Sequence, residues 1–256
     1  MLHTMNDKGV FIRGYFLYFY NVYPCLYNRE MDTILKNDVR TDAFKTCIRF
    51  INYEKVMGDV CEFGVYTGRS FATLAHLHNT YGVTENRVNA QDTPTRTFYG
   101  FDSWEGLPAD SENHPRWVQG LFKCNHSYHP TIAQQDVVTP EHVSAFFKSV
   151  GIDTPHVLVK SSYDELDKLP ETINSIALCH IDCDLFDSTK IVLNLIKSKL
   201  VNGSIIMFDD WYNYKGDPTK GEQRAFREFL QENTHIHAEE FIRYATFCKA
   251  FVMTIM

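Results

Sequence analysis

The 256-residue sequence lacks the marks of nucleic-acid-binding, membrane-spanning and disulfide-rich proteins. No block of Lys or Arg interrupts its formal net charge of -7, and nucleic-acid binding needs a basic footprint. Its seven cysteines are scattered, odd in number and free of C-x-x-C pairs, which is typical of buried thiols in a reducing compartment. No apolar run reaches the roughly 20 residues that span a bilayer. We therefore predict a cytoplasmic protein with no nucleic-acid partner and no membrane partner.

The N-terminus is aromatic but resembles neither a membrane span nor a signal peptide. Residues 11–27 are rich in Phe and Tyr, are broken by Arg13 and Pro24, and lack a small-residue cleavage site. We interpret this stretch as an arm that packs on the body of the protein or on a second subunit. A homodimer is therefore one prediction for its assembly.

Helical and strand patterns alternate along the rest of the chain, without a repeat, a low-complexity tract or a linker. This alternation predicts a doubly wound α/β fold, in which a mostly parallel sheet of seven strands carries helices on both faces. The last two strands have no helix between them and predict an antiparallel C-terminal hairpin. The predicted strands are 60–65, 97–102, 157–160, 176–182, 204–208, 241–244 and 250–255. The predicted helices are 38–57, 68–79, one behind an N-cap at Thr139, 187–200 with an N-cap at Asp187, and 221–231.

The first predicted strand ends in an acid that is followed by two glycines and a helix. Glu62, Gly64 and Gly68 form this pattern, and Ser70 lies at the start of the helix. Glycine lets the backbone approach a ligand closely, and a helix start offers free N–H donors. The spacing differs from the G-x-G-x-x-G of dinucleotide sites, so it fits a pyrophosphate poorly. A ligand whose ammonium group is attracted by Glu62 fits better, although a plain tight turn is the alternative.

The second predicted strand ends at Asp102, where a carboxylate is well placed to bind a ribose diol. A local turn cap is the alternative role for this side chain. Residues 103–138 then form a loop that is long for a compact domain, and such loops are usually functional. We interpret it as a lid.

Four acids follow the fourth and fifth predicted strands, namely Asp182, Asp184, Asp209 and Asp210. Neighbouring strands would bring them to one edge of the sheet, where like charges repel unless they are neutralised. A hard divalent cation such as Mg²⁺ binds carboxylate oxygens and removes this repulsion. Zinc at Cys179, His180 and Cys183 is a weak alternative, because successive side chains on a strand point to opposite faces.

Taken together, these motifs resemble those of the macrocin-type O-methyltransferases of macrolide and aminocoumarin antibiotic pathways. The matching motifs are Glu62-x-Gly64-Val65-x-x-Gly68, Gly100-Phe101-Asp102-Ser103-x-Glu105-Gly106-Leu107-Pro108, Ile181-Asp182-x-Asp184-Leu185-x-x-Ser188-Thr189 and Asp209-Asp210. That family has the class I, Rossmann-like methyltransferase fold. It uses S-adenosylmethionine and magnesium to methylate sugar hydroxyls. The resemblance covers about residues 58–229 and does not extend to the N-terminal arm. We predict an N-terminal arm and helical cap over residues 1–57 and a methyltransferase domain over residues 58–256.

The resemblance also implies roles for individual residues. Glu62, Gly64 and Gly68 would line the methionine end of the cofactor, Asp102 would hold the ribose, and Ser161 and Ser162 would lie near the adenine. Further cofactor contacts would come from Val65, Ser70, Ser103 and Asp182. The metal ligands would be Asp182, Asp209 and Asp210. One departure is Ser161, which stands where the family usually has a glycine.

The acceptor hydroxyl needs a base, and our hypothesis is Asp184, with Asp182 sharing the role. A lysine base of the catechol-methyltransferase kind is not supported, because Leu185 occupies that place. Other base candidates are the histidines of the long loop, and several aromatic residues could stack on a sugar. These residues are His114, His126 and His129, and Trp104, Trp117, Tyr128, Trp211 and Tyr212. A metal-independent methyltransferase acting on nitrogen or carbon, and a non-catalytic binding module, are the rival functions.

Overall fold

The computed structural model describes residues 29–81, 94–127, 129 and 131–256. The helices are α1 (Arg29–Asn37), α2 (Thr41–Tyr53), α3 (Arg69–Tyr81), α4 (Pro140–Ser149), α5 (Phe186–Ile196) and α6 (Gly221–Glu232). The strands are β1 (Asp59–Phe63), β2 (Phe98–Asp102), β3 (His156–Lys160), β4 (Ile176–Ile181), β5 (Leu200–Phe208), β6 (Ile236–Tyr244) and β7 (Cys248–Ile255). Short 3₁₀ turns cover Tyr163–Glu165, Lys197–Lys199 and Tyr214–Gly216.

The strands form one seven-stranded sheet in the order β3-β2-β1-β4-β5-β7-β6. β1 to β5 pair in parallel, whereas β7 runs antiparallel to both β5 and β6. The doubly wound fold, the mostly parallel sheet and the C-terminal hairpin are therefore confirmed.

Alternate residues of each strand enter two separate apolar cores. Val60 and Phe98 pack with α1 to α4 on one face of the sheet, and Phe63 and Phe101 pack with α5 and α6 on the other. This alternation follows from the twofold period of a strand, and burial of both faces explains why the predicted strands are apolar runs.

Several predicted boundaries differ from the structure. α2 is shorter than the predicted helix 38–57. β6 begins at Ile236, and the prediction placed its start at residue 241 because the exposed polar side chains of this edge strand hide its first half. β5 begins at Leu200, before the irregular pairing around Gly203. The N-cap at Thr139 is confirmed, with a reciprocal capping box to His142. The predicted N-cap at Asp187 is wrong, because the cap is Leu185 and Asp187 lies in the first turn.

The N-terminal helices contribute to the core of the sheet domain. Phe44 and Ile48 of α2 are fully buried, and the Phe44 ring lies 5.1 Å from the ring of His180 on β4. The division of the chain at residue 57 stays a prediction. The aromatic stretch 11–27 lies outside the described residues. In the described part of the chain no helix is long and apolar enough to cross a membrane.

Arg96 joins α2 to the sheet from a position that is only 1% exposed. Its guanidinium donates to the carbonyl oxygens of Gly58 (2.5 Å), Ile51 (3.1 Å) and Val56 (2.8 Å), and to the side chain of Asn52 (3.3 Å). These carbonyls lie in the last turn of α2 and in the chain that follows it, where helical partners run out. Burial lowers the pKa of Arg96 to about 10, which leaves it charged at neutral pH.

Arg96→Met should lower the free energy of unfolding by about 2–4 kcal/mol, because buried carbonyls lose a charged donor. Urea unfolding measures the loss. Arg227→Met, at an exposed position of α6, is the control and should change stability by less than about 0.5 kcal/mol. Equal effects of the two variants would contradict the role of Arg96.

Candidate active site

The parallel strands bring the predicted residues to one edge of the sheet. At this edge, the residue after a strand continues the hydrogen-bond ladder to the neighbouring strand. The N–H of Asp182 donates to Phe63 O (2.8 Å), and the N–H of Asp209 donates to Ile181 O (3.0 Å). The N–H of Ser161 likewise bonds to Asp102 O (3.0 Å). The register of the parallel strands, and not the geometry of the loops, therefore places these side chains beside one another.

Gly64 lies where the turn after β1 passes directly over β4. Its φ is +93°, and a Cβ built there would lie 1.8 Å from the carbonyl oxygen of Asp182. No other residue type fits this position without moving the backbone. Gly68 has a φ of +80° and faces Val143 of α4, whose Cγ1 would lie 2.6 Å from a Cβ. The two predicted glycines therefore set how closely the turn approaches the sheet.

Asp102 binds the backbone of the same turn. Its Oδ2 accepts the N–H groups of Val65 (2.9 Å) and Tyr66 (2.8 Å), and its Oδ1 accepts the N–H of Trp104 (2.7 Å). Burial raises the pKa of Asp102, and these amides offset part of that rise. The carboxylate thus holds the glycine turn in shape. A ribose contact would use its remaining lone pairs, and that role stays a prediction.

Two cavities, of about 1000 Å³ and about 300 Å³, meet at Gly64, Tyr66 and Asp182. The larger lies at the upper end of the size range of small-molecule sites. The predicted cofactor residues that line it are Gly64, Asp102, Ser103, Ser161, Ser162 and Asp182. Those that line the smaller are Gly64, Val65, Ser70 and Asp182. Glu62 and Gly68 line neither of these cavities.

The four predicted acids do meet, and they form two overlapping groups. In one group, ligand atoms of His180, Asp182 and Asp209 lie within 4.8 Å of one another. In the other, those of Asp182, Asp184 and Asp210 lie within the same distance. Asp182 belongs to both, so it stands between the other acids.

Asp209 is surrounded by cationic groups. Arg40, at the start of α2, places its Nη1 3.1 Å from Asp209 Oδ1 and 3.4 Å from Asp182 Oδ2. Burial alone would raise the pKa of Asp209, but Arg40 and His180 outweigh it and hold this pKa well below its usual range. Asp209 is therefore a stable anion in this arrangement.

Asp184 and Asp210 have a different environment. Burial, and then the charge of Asp209, raises the pKa of Asp210 to about 7. Burial, and then the charge of Asp210, raises the pKa of Asp184 well above its usual range. Glu222, 1% exposed at the start of α6, accepts the N–H of Asp210 (3.0 Å). Its pKa is also raised well above the usual range, by burial and then by Asp210.

Glu62 is fully buried and bonds to His180 instead of facing a cavity. His180 Nδ1 lies 2.7 Å from Glu62 Oε1, and His180 Nε2 lies 3.4 Å from Asp209 Oδ1. Burial alone would lower the pKa of His180. The hydrogen bonds and charges of Asp209 and Glu62 outweigh this effect and raise the pKa to about 10. With no exposed atom, Glu62 can act on a ligand's ammonium group only through its charge. Its predicted cofactor contact stays a prediction.

The long loop is fastened to the chain that follows the last two acids. Glu112 accepts the N–H of Gly221 (2.6 Å) and pairs with Arg224 (3.1 Å). The hydroxyl of Tyr214 donates to Asp110 Oδ2 (3.1 Å). The loop is thus held against the start of α6 and the turn before it, and its role as a lid stays a prediction.

The aromatic and histidine candidates separate by burial. Trp104 and Trp211 are 2% and 5% exposed and pack in the cores, so they are not available to stack on a sugar. His129 is buried, and this burial lowers its pKa to about 4. His114 stacks on Trp117 (4.9 Å between centroids), within the loop. Of the remaining candidates, His126 as a base and Tyr212 as a stacking residue stay predictions. Tyr128 lies outside the described residues.

Sequence analysis missed Arg40 and Glu222 as parts of the site and treated His180 only as a zinc candidate. Arg40 is 142 residues away from Asp182, and no local pattern links the two. Among the described residues, neither candidate metal group contains a cysteine. Cys179 and Cys183 are buried and belong to neither group, so zinc at Cys179, His180 and Cys183 is not supported.

The fold is that of a class I methyltransferase. The sequence model of the macrocin-O-methyltransferase (TylF) family matches residues 33–240. The chain belongs to this family, and it is an S-adenosylmethionine-dependent O-methyltransferase. The resemblance that the motifs suggested is confirmed.

Individual relatives are more distant. The chain is 26% identical over 195 residues to the 8-demethyl-8-(2,3-dimethoxy-alpha-L-rhamnosyl)-tetracenomycin-C 4'-O-methyltransferase of Streptomyces olivaceus, over 73% of this chain and 67% of that protein. The solved structure of the O-methyltransferase NovP matches with a TM-score of 0.62 and 20% identity, over 84% of this chain and 79% of NovP. CalS11, calicheamicin methyltransferase, matches with a TM-score of 0.54 and 24% identity, over 91% and 83%. These two structures support the fold.

Gly64→Ala should lower the free energy of unfolding by about 2–4 kcal/mol and weaken cofactor binding, because the new methyl group meets the Asp182 carbonyl. Urea unfolding and calorimetry with S-adenosylhomocysteine measure the two effects. Gly151→Ala is the matched control, since Gly151 also has a positive φ (+69°) but nothing within 4 Å of a Cβ. It should cost about 1–2 kcal/mol and spare binding. Unchanged cofactor affinity in a folded Gly64→Ala protein would refute the close approach.

Proposed function

We propose that this enzyme transfers a methyl group from S-adenosylmethionine to a hydroxyl of a sugar or glycosylated small molecule, with help from a divalent cation. The observation that carries the proposal is the acidic edge at Asp182, Asp184 and Asp210, which adjoins the larger cavity beside the glycine turn. That position would put a cation-binding group beside the reactive end of a cofactor lying along the strand ends.

The cofactor is proposed to lie in the larger cavity, across the ends of β1, β2 and β3. Its methionine end would face Gly64, its ribose Asp102, and its adenine Ser161 and Ser162. The sheet order β3-β2-β1 supports this arrangement, because the lining of the larger cavity contains residues from the end of each of these strands. Its volume of about 1000 Å³ leaves room for an acceptor beside the cofactor.

The donor set fits a hard cation. Asp182, Asp209 and Asp210 are the ligands expected from the family, and carboxylate oxygens are what Mg²⁺ prefers. Buried oxygens without a hydrogen-bond partner support the fit, namely Asp210 Oδ2 and Glu222 Oε1. A bound cation would stabilise an alkoxide, and thereby make a sugar hydroxyl easier to ionise.

The chain's own part in the chemistry is to orient the acceptor and remove a proton. Asp184 is the proposed base, with Asp182 sharing the role, because both line the larger cavity. The acceptor oxygen would take the methyl group from the sulfonium sulfur, and the hydroxyl proton would pass to the carboxylate. S-adenosylhomocysteine would be the leaving group. Alignment of the acceptor, donor methyl and base accounts for most of the rate gain available to the protein.

A sugar acceptor is supported by what two relatives are named for. The Streptomyces olivaceus enzyme is named as a 4'-O-methyltransferase of a rhamnosyl tetracenomycin, and CalS11 as a TDP-rhamnose 3'-O-methyltransferase. Methylation assays with deoxysugar glycosides, their aglycones and a sugar nucleotide, read by mass spectrometry, test the class. A product only from an aglycone would overturn it.

One observation favours a metal-independent reaction as the alternative. Arg40 already neutralises part of the acidic edge through Asp182 and Asp209. An enzyme that relied on this arginine alone would need no cation.

Removal of divalent ions distinguishes the two mechanisms. EDTA should lower turnover at least about tenfold, and Mg²⁺ in excess should restore it, because the alkoxide loses its stabilising charge. The methyl-transfer assay with EDTA alone, and with EDTA plus Mg²⁺, is the measurement. Full activity in EDTA would favour the metal-independent reaction.

Asp102→Ala and Asp182→Asn should separate binding from chemistry. Asp102→Ala removes the acceptor of three turn amides, so it should weaken S-adenosylmethionine binding at least about tenfold. Asp182→Asn should abolish turnover and keep cofactor affinity within a few fold. Calorimetry and turnover, measured on both variants, check this. The reverse pattern would be inconsistent with the proposed roles.

A further inference from the structure

Tyr66 is the residue at which the glycine turn, the end of β2 and the long loop meet. We propose that its hydroxyl is a positioning group, which fixes residues 122–127 of the loop as a wall shared by the two cavities. An acceptor that enters the larger cavity would then meet a fixed surface beside the glycine turn. This inference rests on the proposed methyl transfer to such an acceptor, and it adds a residue that acts through the loop and not on the reacting atoms.

The backbone of Tyr66 is held in an uncommon conformation. Its φ is +48°, in a region that residues other than glycine rarely adopt. Its N–H donates to Asp102 Oδ2 (2.8 Å), and its carbonyl oxygen accepts the indole N–H of the buried Trp104 (3.0 Å). Such a conformation persists where the surroundings fix it, and here both backbone groups are bonded. The side chain of Tyr66 is therefore carried by a fixed backbone.

The hydroxyl of Tyr66 bonds twice to the backbone of the loop. It donates to the carbonyl oxygen of Cys124 (2.8 Å) and accepts the N–H of His126 (2.9 Å). One hydroxyl donates one bond and accepts two, so both contacts can form together. Burial raises the pKa of Tyr66, which keeps the proton of the hydroxyl in place at neutral pH. The phenol ring also meets the ring of Phe122 edge-on, with 5.3 Å between the ring centroids.

The other backbone bonds of this segment lie on its opposite side. Cys124 pairs with Val137 in an isolated antiparallel bridge, whose hydrogen bonds are made by the neighbouring residues on each side. In such a pair the carbonyl of Cys124 itself points away from Val137, which leaves it free for Tyr66. In the described part of the chain, no further hydrogen bond or ion pair joins residues 122–127 to residues outside the loop 103–138. The hydroxyl of Tyr66 is thus their polar link to the glycine turn.

The segment that Tyr66 holds lines both cavities. Phe122 and Lys123 line the larger cavity, and Ser127 lines the smaller. Tyr66 itself lines both. Tyr66→Phe would remove the two bonds and keep the ring, so it isolates the hydroxyl from the packing of the side chain. Since the acceptor must be aligned with the methyl donor, a wall that is no longer fixed would weaken productive acceptor binding.

Hydrogen exchange in the full-length protein, resolved to single amides by NMR, tests the link directly. The amide of His126 should exchange at least about tenfold faster in Tyr66→Phe than in the wild type, because it loses its acceptor. Tyr214→Phe is the matched control, since it removes the hydroxyl that donates to Asp110 in the first half of the same loop. It should leave the exchange of His126 within about twofold of the wild type. Equal exchange at His126 in the wild type and Tyr66→Phe would overturn the proposal.

Steady-state kinetics measures the consequence for the reaction, with the deoxysugar glycoside that the wild type methylates as the acceptor. The acceptor KM of Tyr66→Phe should rise at least about fivefold, and kcat should fall by less. The affinity for S-adenosylhomocysteine, measured by calorimetry, should stay within about threefold, because the backbone bonds of Tyr66 remain. Tyr53→Phe, at a position 63% exposed on α2, is the control and should match the wild type in each measurement.

Two kinetic results would contradict the positioning role. One is an acceptor KM in Tyr66→Phe that equals the wild-type value, and the other is a loss of cofactor affinity as large as the rise in KM. Failure of the proposed function gives a different result, namely a wild-type protein that binds S-adenosylhomocysteine and methylates no sugar acceptor. The exchange rate of the His126 amide needs no acceptor, so it would still decide whether Tyr66 holds the loop.

Discussion

Mutual repulsion among buried carboxylates is the constraint around which this active site is arranged. Five acids, from β4, β5 and the start of α6, lie at one edge of the sheet: Asp182, Asp184, Asp209, Asp210 and Glu222. Such a cluster persists only if protons or cations offset its charge. The chain supplies part of that offset through Arg40, which contacts Asp182 and Asp209, and through His180 beside Asp209. A bound cation would offset charge on the remaining carboxylates.

A single tight contact brings the glycine turn to the same edge. The turn after β1 meets the end of β4 at Gly64, where only the absence of a side chain allows the backbone to approach the Asp182 carbonyl. Asp102 then fixes the following amides, at Val65 and Tyr66. The acidic side chains at the end of β4 and the close approach of the backbone at the end of β1 are thus parts of one arrangement. Packing of α2 on the sheet completes it, because this helix carries Arg40.

Much of this arrangement could be predicted from sequence, since parallel strands bring their carboxyl ends together. Asp182 and Asp209 each follow an apolar strand, and that local pattern was sufficient to place them side by side. Arg40 and Glu222 lie outside such patterns, because their roles depend on how helices pack on the sheet. Glu62 is the opposite case. The motif draws attention to this residue, but the alternation of side chains along a strand does not predict that Glu62 is fully buried. The start of β6 was missed because an exposed edge strand has no apolar face to show.

The central claim is that the acidic edge of the sheet holds a divalent cation beside the methyl donor. Anomalous scattering from a crystal grown with Mn²⁺ and S-adenosylhomocysteine tests it most directly. The account predicts one Mn²⁺ peak about 2.1 Å from carboxylate oxygens of Asp182, Asp209 and Asp210. A peak away from these carboxylates, or no peak beside an ordered cofactor, would contradict it.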